Sequence, residues 1–482
     1  MTEVSHPRVA VVGGGIAGLA AAYELQLGSR GKGHPLRIDL YEASRRLGGA
    51  ILTEREGDWV MDAGPDAILT LKPWALELCR ELGLEDEIIP TRDEGRGVAL
   101  YSRGKLRPLP YGTGSSALKK LKAYVTSGVV SWPAKLRMGL DLVLPRGDVE
   151  DDMSMSDFFG RRLGREAVER IVDPLIAGIY SGDPDKLSIY ATFPRFPQMV
   201  KRRRSILLTL LRVPQSSGSG PRKLPVFCSL REGLGQLVER LSARMDVVSV
   251  HMSTRITALH EIDGRYMLTT TDGRREPYDA VLLATPAWVG AQLLSEVAPG
   301  AAARVGRIRY VSSATVFLAY RHADLWVRPR GYGFLVPTVE GRRINGGTWI
   351  TNKFEGRAPH DGFLARCFIG GDRAGKEMEA DDEELVRICR EELREIAGIE
   401  AEPLFTRVYR WRGSGPQYDV GHESLVRGID AELAVHPGLD VTGSGYRGIG
   451  IPDCVRDGRE TAKRLLRELV SRDEAGAARP PA

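Results

Sequence analysis

Arg8-Val9-Ala10-Val11-Val12-Gly13-Gly14-Gly15-Ile16-Ala17-Gly18 is the stretch on which the reading of this chain turns. Its short apolar run reads as a buried parallel strand that stops at Gly13. A helical pattern follows through Ile16, Leu19, Ala20, Tyr23 and Leu27, and a second strand, Arg37–Tyr41, ends at Glu42. The unit is strand–helix–strand, with G-x-G-x-x-G at its first turn. The first glycine makes the tight turn out of the strand, and the second lets backbone N–H groups reach a pyrophosphate. The third, Gly18, lets the helix pack close with its positive end toward the phosphates. Glu42 stands 24 residues beyond Gly18, placed to accept hydrogen bonds from a ribose diol. The glycines alone are a weak signal. A strand before them, a helix after them and an acid at the end of the next strand make it a dinucleotide site.

The residues after the second strand favour FAD over NAD. Glu42-Ala43-Ser44-Arg45-Arg46-Leu47-Gly48-Gly49 extends the site by a basic residue and two more glycines. Arg46 can neutralise a pyrophosphate, and Gly48-Gly49 let the backbone pass close to the flavin side. Gly64-Pro65-Asp66-Ala67 is a further turn able to line the isoalloxazine ring.

The chain has 482 residues, enough for two or three domains. Hydrophobic residues make up 42% and charged residues 27%, proportions of a water-soluble protein, and the net charge of +5 fits acidic ligands or solvated basic faces equally. Five cysteines (Cys79, Cys228, Cys367, Cys389, Cys454) are scattered singly without metal-ligand spacing, which points away from disulfides and metals and toward a reducing compartment. The N-terminus shows no signal segment, and no apolar stretch approaches the roughly 20 residues of a spanning helix. A cytoplasmic protein is expected, membrane-associated peripherally at most.

Residues from about Gly112 to Arg212 lack period-two runs and read as helical, with Lys119, Lys120, Lys122, Lys135 and Arg137 on polar faces. Pro214–Pro221 is a loop by composition. Ala314–Tyr320 and Gly333–Val336 suggest a second sheet. Leu439–Gly443 is again strand-like, with a helix expected from about Gly458 and disorder after Ser471.

G-x-G-x-x-G followed by Glu42, Arg46, Gly48 and Gly49 resembles the FAD-dependent amine oxidase superfamily. Later segments resemble its porphyrinogen oxidases. They are Asp173–Pro184, Leu187-Ser188, Thr192–Pro194, Arg204–Leu207, Gly331–Pro337, Pro416–Tyr418, Gly421-His422 and Gly448–Cys454. The resemblance runs in order from Val9 to about Arg464. It implies an α/β (mixed α+β) fold. A discontinuous Rossmann-type FAD-binding domain spans residues 1–95, 223–288 and 405–471. A mixed-sheet substrate domain is inserted at 96–111 and 289–404, with a helical region at 112–212 and a disordered tail at 472–482.

The resemblance also implies sites. Gly13, Gly14, Gly15, Ile16, Ala17, Gly18, Glu42, Ala43, Arg46, Gly48, Gly49 and Ala50 match cofactor-contacting positions. So do Gly64, Pro65, Asp66, Ala67, Ile256, Trp411, Gly448, Ile449, Gly450 and Ile451. The last four suit a helix N-terminus beside the flavin, where partial positive charge favours the reduced ring. Trp411 is alternatively an ordinary core aromatic. Gly178, Leu335 and Phe354 match substrate-cavity positions, with a plain core role the alternative for Leu335 and Phe354.

The implied activity is oxidation of a porphyrinogen to a porphyrin in haem biosynthesis. Three hydride equivalents pass to the flavin, and dioxygen reoxidises it to give hydrogen peroxide. No catalytic side chain is assigned. The eight histidines are isolated, His422 reads as structural, and Lys353 and Tyr418 are polar candidates for the pocket. Coproporphyrinogen III is favoured over protoporphyrinogen IX. Enzymes acting on the latter usually carry Arg at the position of Val98, although Arg96 stands close by. The basic run Lys201–Arg204 reads as a solvated helix face, with propionates or anionic lipid as the alternative contact. No nucleic-acid partner is expected, and transient contact with a chelatase is expected from pathway logic. The rivals are a flavin amine oxidase, a carotenoid desaturase and a non-catalytic flavin-bound porphyrin carrier. Arg447, beside Tyr446, suits an amine substrate poorly.

Overall fold

The computed structural model describes residues 6–31, 35–93, 97–109, 126–145, 151–207, 224–373 and 375–477. The opening stretch forms the centre of a five-stranded parallel sheet. Its order is Val248–His251, Arg37–Tyr41, Arg8–Val12, Ala280–Leu283, Leu439–Val441. Both faces are covered, which is why the strands read as nearly continuous apolar runs. On one face Val9 and Val11 pack with the first helix, Ile16–Gly31, and the last, Ile451–Ala477. On the other, Ala10, Val12, Val281 and Leu283 pack with helices Ala287–Leu294 and Pro299–Val305. The antiparallel strands Ile256–Ile262, Arg265–Thr270 and Arg275–Tyr278 complete that layer.

A second, seven-stranded sheet has the order Phe405–Gln417, Arg309–Arg321, Gly362–Gly370, Gly346–Trp349, Gly333–Leu335, Val98–Ser102, Lys105–Pro108. All its pairs are antiparallel except Gly333–Leu335 with Val98–Ser102. Helix Asp382–Ala397 covers one face through Leu385, Ile388, Cys389 and Leu393. The other face meets the cofactor-side hairpin Thr53–Glu56/Trp59–Asp62, where Trp59 and Met61 pack on Phe317 and Leu364. Between residues 126 and 207 the described chain is helical, built on Phe158, Phe159, Ile171, Ile176 and Ile189.

The structure redraws several expected boundaries. Phe405–Gln417 pairs along its length with Arg309–Arg321, so it belongs to the seven-stranded sheet and not to a cofactor segment beginning at 405. It is an edge strand with mostly half-buried polar side chains, which gives it little apolar signature. The boundary at 288 falls inside helix Ala287–Leu294, whose Leu293 and Leu294 join the parallel-sheet core. The last helix begins at Ile451, not near Gly458, because a proline in the first turn (Pro452) costs no hydrogen bond. It continues through the expected tail to Ala477. Glu468 accepts the N–H of Gly438, and Arg472 donates to the carbonyl of Pro437. Lys135 is buried at 8% exposure with its ammonium 4.4 Å from the Trp132 ring, so it does not lie on a polar face. Arg96, Lys119, Lys120, Lys122, Pro214–Pro221 and residues 478–482 lie outside the described residues.

The first and last helices cross at the carbonyl of Ala17, 2.3 Å from where a Cβ on Gly458 would sit. Gly458→Ala is expected to force them apart at a cost of about 1–3 kcal/mol. A lower thermal midpoint with an unchanged far-UV spectrum is the signature.

Candidate functional site

The glycines of the first turn hold distinct geometries. Gly13 takes φ +115°, and its N–H donates to the carbonyl of Tyr41 at 2.8 Å. A Cβ at Gly18 would sit 1.9 Å from the carbonyl oxygen of Gly13, so only glycine lets the helix start this close to the strand. A Cβ at Gly15 would find nothing nearer than the Cα of Gly49, at 4.0 Å. Open space lies over Gly15 while its neighbours are tightly packed, as a cradle for a pyrophosphate requires. Ile16 and Ala17 open the helix and are buried.

Glu42 binds this turn to the next. Its two carboxylate oxygens accept the N–H groups of Gly14, at 2.8 Å, and Ser44, at 2.7 Å. The Gly48 N–H donates to the carbonyl of Gly14 at 2.8 Å, and the Cα of Gly15 faces Gly49. Arg46 donates to the carbonyls of Leu47, Gly49 and Ile51, so it shapes the Gly48-Gly49 turn besides adding charge. Burial lowers its pKa, with Glu42 opposing. Ala43 and Ala50 are exposed on this loop.

The Gly64–Ala67 turn lies against both this loop and the second sheet. A Cβ at Gly64 would sit 1.9 Å from the carbonyl oxygen of Ala50 and 3.5 Å from the Trp411 ring. Trp411 Nε1 donates to the carbonyl of Ala63 at 3.2 Å, so it is more than a core aromatic. Asp66 pairs with Lys353 at 2.7 Å. Burial alone would raise the Asp66 pKa, but Lys353 and then Arg366 outweigh it and hold the carboxyl below its ordinary value. Pro65 and Ala67 are half-buried beside it.

The chain's other end closes the site. Gly448, at φ +128°, donates its N–H to the Tyr418 hydroxyl at 2.7 Å, and the helix starts at Ile451 after Ile449 and Gly450. A Cβ on Gly443 would lie 4.0 Å from the Cβ of Ala17, so the turn after the last strand sits beside the start of the first helix. Asp457, buried, accepts from the Thr442 hydroxyl, the Gly443 N–H and Arg447. Tyr418 stacks on His422 at 3.9 Å and donates to the carbonyl of Ser444. His422 Nε2 lies 2.9 Å from the carbonyl of Tyr446, which can only accept, so Nε2 carries the proton. Burial lowers the His422 pKa, which suits the structural role expected from sequence.

Not every expected residue comes to the cradle. Ile256 is a core side chain at 4% exposure, and the segment before it is tied to the cradle through the Ser253 and Thr254 N–H groups on the carbonyls of Ser44 and Glu42. Gly178 and Leu335 are brought together, a Cβ at Gly178 falling 2.8 Å from Leu335 Cδ2. Phe354 is 1% exposed, with the Lys353 ammonium and Arg357 guanidinium 5.1 and 5.5 Å from its ring, and it borders a cavity together with Asn352, Arg357 and His360. Sequence reading missed Arg366 and Thr315, which bond the Ala63 carbonyl, and Asp457. A lone arginine inside the apolar run Gly362–Gly370 was a usable signal for the first. Nothing local marked the other two.

The chain belongs to the flavin-containing amine oxidoreductase family, whose model matches residues 16–466. It is a flavin-dependent oxidoreductase, and the cradle fits that cofactor. The chain is 34% identical to a coproporphyrinogen III oxidase of Bacillus subtilis (strain 168) over 96% of its own length and 98% of the relative's. It is 31% identical to a coproporphyrinogen III oxidase of Staphylococcus aureus, over 96% and 99%. A solved structure assigned as a protoporphyrinogen oxidase, from Exiguobacterium sp. 255-15, superposes with a TM-score of 0.84 at 29% identity, covering 96% of this chain and 99% of that one. Reduced UDP-galactopyranose mutase, at 14% identity and a TM-score of 0.69, shares the fold.

Glu42→Ala leaves the buried Gly14 N–H without its acceptor, a loss of about 1–3 kcal/mol. Flavin affinity, measured by fluorescence titration of apoprotein, is expected to fall roughly 10- to 100-fold. Glu42→Gln keeps an acceptor oxygen and should lose less. His422 makes a second prediction. Its folded pKa lies below the unfolded value of about 6.5, so its stabilisation is complete above that pH and is lost as pH falls toward the folded pKa. His422→Gln should flatten this part of the acid loss in thermal midpoints taken from about pH 7.5 to 5.

Proposed function

We propose that the protein is an oxygen-dependent FAD oxidase converting coproporphyrinogen III to coproporphyrin III, with hydrogen peroxide as by-product, in haem b biosynthesis. The observation that carries this reading is the likeness, end to end, to the coproporphyrinogen III oxidase of Bacillus subtilis, at 34% identity over 96% of the chain. Bound FAD supplies a two-electron acceptor that dioxygen can regenerate.

The chain's own residues supply placement. Gly13 to Gly18, Arg46 and the start of the first helix hold the pyrophosphate, and Glu42 takes the ribose. Gly48 to Ala50, the Gly64–Ala67 turn, Trp411 and the Gly448–Ile451 helix start hold the flavin end. Gly178 and Leu335 form a close-packed apolar wall for the puckered, non-conjugated macrocycle. Val98 pairs with Gly333, two residues from Leu335, and brings no cation to that end of the wall. A substrate with four propionates needs its cations farther out, where water also solvates the carboxylates. No side chain is assigned as a base.

Protoporphyrinogen IX is the second reading, favoured by the likeness to the Exiguobacterium structure. No helix among the described residues is long and apolar enough to cross a membrane. A cytoplasmic location, peripheral membrane contact at most, and transient hand-over of the porphyrin to a chelatase complete the proposal.

The test compares kcat/KM for coproporphyrinogen III and protoporphyrinogen IX by porphyrin fluorescence in air. The expected result is at least a tenfold preference for coproporphyrinogen III. The reverse preference selects the second reading. Flavin that stays oxidised when either porphyrinogen is added under argon would mean a carrier and not an oxidase.

A further inference from the structure

The carbonyl oxygen of Ala63 accepts three hydrogen bonds from one sheet. Thr315 Oγ1 donates at 2.9 Å, Arg366 Nη2 at 3.0 Å and Trp411 Nε1 at 3.2 Å. Arg366 Nη2 also donates to the carbonyl of Gly64, at 2.6 Å. The donors stand on three adjacent strands, Arg309–Arg321, Gly362–Gly370 and Phe405–Gln417. A carbonyl oxygen has two lone pairs, so this one is saturated.

Arg366 is the unusual member. It is 4% exposed, and its guanidinium lies 5.4 Å from the Phe317 ring and 4.7 Å from the Phe368 ring. Its Nε has no partner among the described residues. Burying a guanidinium costs several kcal/mol, and an apolar residue would serve a plain sheet position better. The charges around it are Asp66, already paired with Lys353, and Asp62, paired with Arg357 at 3.4 Å. Three cations therefore face two carboxylates beneath the turn, leaving an excess of positive charge.

We infer that Arg366, with Thr315 and Trp411, forms a clamp that sets the Ala63–Ala67 turn in its flavin-binding position and places positive charge beneath it. The clamp joins the two halves of the molecule at the cofactor. The turn belongs to the parallel-sheet side, where Ala50 blocks its other flank. The donor strands run on, through Gly346–Trp349, to the strand that carries Leu335. Arg366 is a positioning residue. A turn fixed before the cofactor arrives spares the ordering cost at binding, and buried positive charge favours the electron-rich, reduced cofactor over the oxidised one.

The inference rests on flavin binding at the glycine cradle and not on the identity of the substrate. Wild-type protein that binds FAD but ignores both porphyrinogens would count against the proposed function and leave this test intact. FAD dissociation constants and two-electron midpoint potentials are measured for four variants. Arg366→Lys keeps a charge, but on a shorter side chain without the planar fork, so the nitrogen that bridges both carbonyls is drawn away from them. Trp411→Phe keeps a ring and removes only the N–H, on an edge strand where folding is least at risk. Arg366→Gln removes the charge. Arg162→Lys is the control, since Arg162 is equally buried but bonds Asp141 and the carbonyls of Pro145 and Arg204 in the helical region.

The expected result is FAD affinity at least fivefold weaker in Arg366→Lys and measurably weaker in Trp411→Phe. The midpoint potential of Arg366→Gln should be more negative than wild type, and the control should stay within twofold. Arg366→Lys within twofold of wild type would overturn the clamp. So would equal losses in Arg366→Lys and the control, or an unchanged potential in Arg366→Gln.

Discussion

The approach of the first and last helices at Ala17 and Gly458 governs the rest of the molecule. These residues are 441 positions apart, and the missing side chain at Gly458 lets one helix rest on the peptide carbonyl of the other. Gly28 repeats the contact farther along, where a Cβ would lie 2.4 Å from Leu466. Two helices in such contact must start at the same end of the sheet. Both starts, Ile16 and Ile451, therefore reach the carboxyl ends of the parallel strands, where a doubly covered sheet leaves its crevice. Partial positive charge from two helix ends converges there, where Gly15 leaves space for an anion.

The helical region and the second sheet are joined partly by ions. Arg373 reaches Asp173, Asp183 and Asp185, and Lys186 reaches Asp372. Half-buried pairs like these add little stability, yet they define one orientation sharply, since a carboxylate fork tolerates little rotation. Leu335 belongs to the second sheet and packs against the helical core, so the wall it forms with Gly178 depends on that orientation. An enzyme that presents a flexible, non-planar macrocycle to a cofactor needs such a fixed angle more than it needs extra stability.

The phosphate cradle was legible because its demands are local. Gly18 answers a steric problem posed by the carbonyl of Gly13, Gly13 answers its own positive φ, and Glu42 is reached through one helix and one strand. The resemblance reached farther, to Gly64, Trp411 and Gly448, and to Ile256 and Phe354, whose side chains are buried. Domain boundaries were less legible. The edge strand Phe405–Gln417 has no apolar alternation, so only its pairing with Arg309–Arg321 reveals its sheet. The last helix reads as a tail after Ser471 because its late contacts, Glu468 and Arg472 on the Pro437-Gly438 turn, are with residues distant in sequence.

By itself, the sequence determined a dinucleotide-binding start, an α/β architecture and a flavoprotein family. Each is written in short-range patterns: a glycine spacing, a strand period, motifs in a given order. Only the tertiary structure decided which polar groups share a carbonyl, which charges lie beneath the Gly64 turn, and that Gly178 meets Leu335. Those facts depend on strand register and helix crossing, which long-range packing sets. A hydrogen bond between Arg366 and Ala63 spans 303 residues, and no local pattern encodes a partner at that distance.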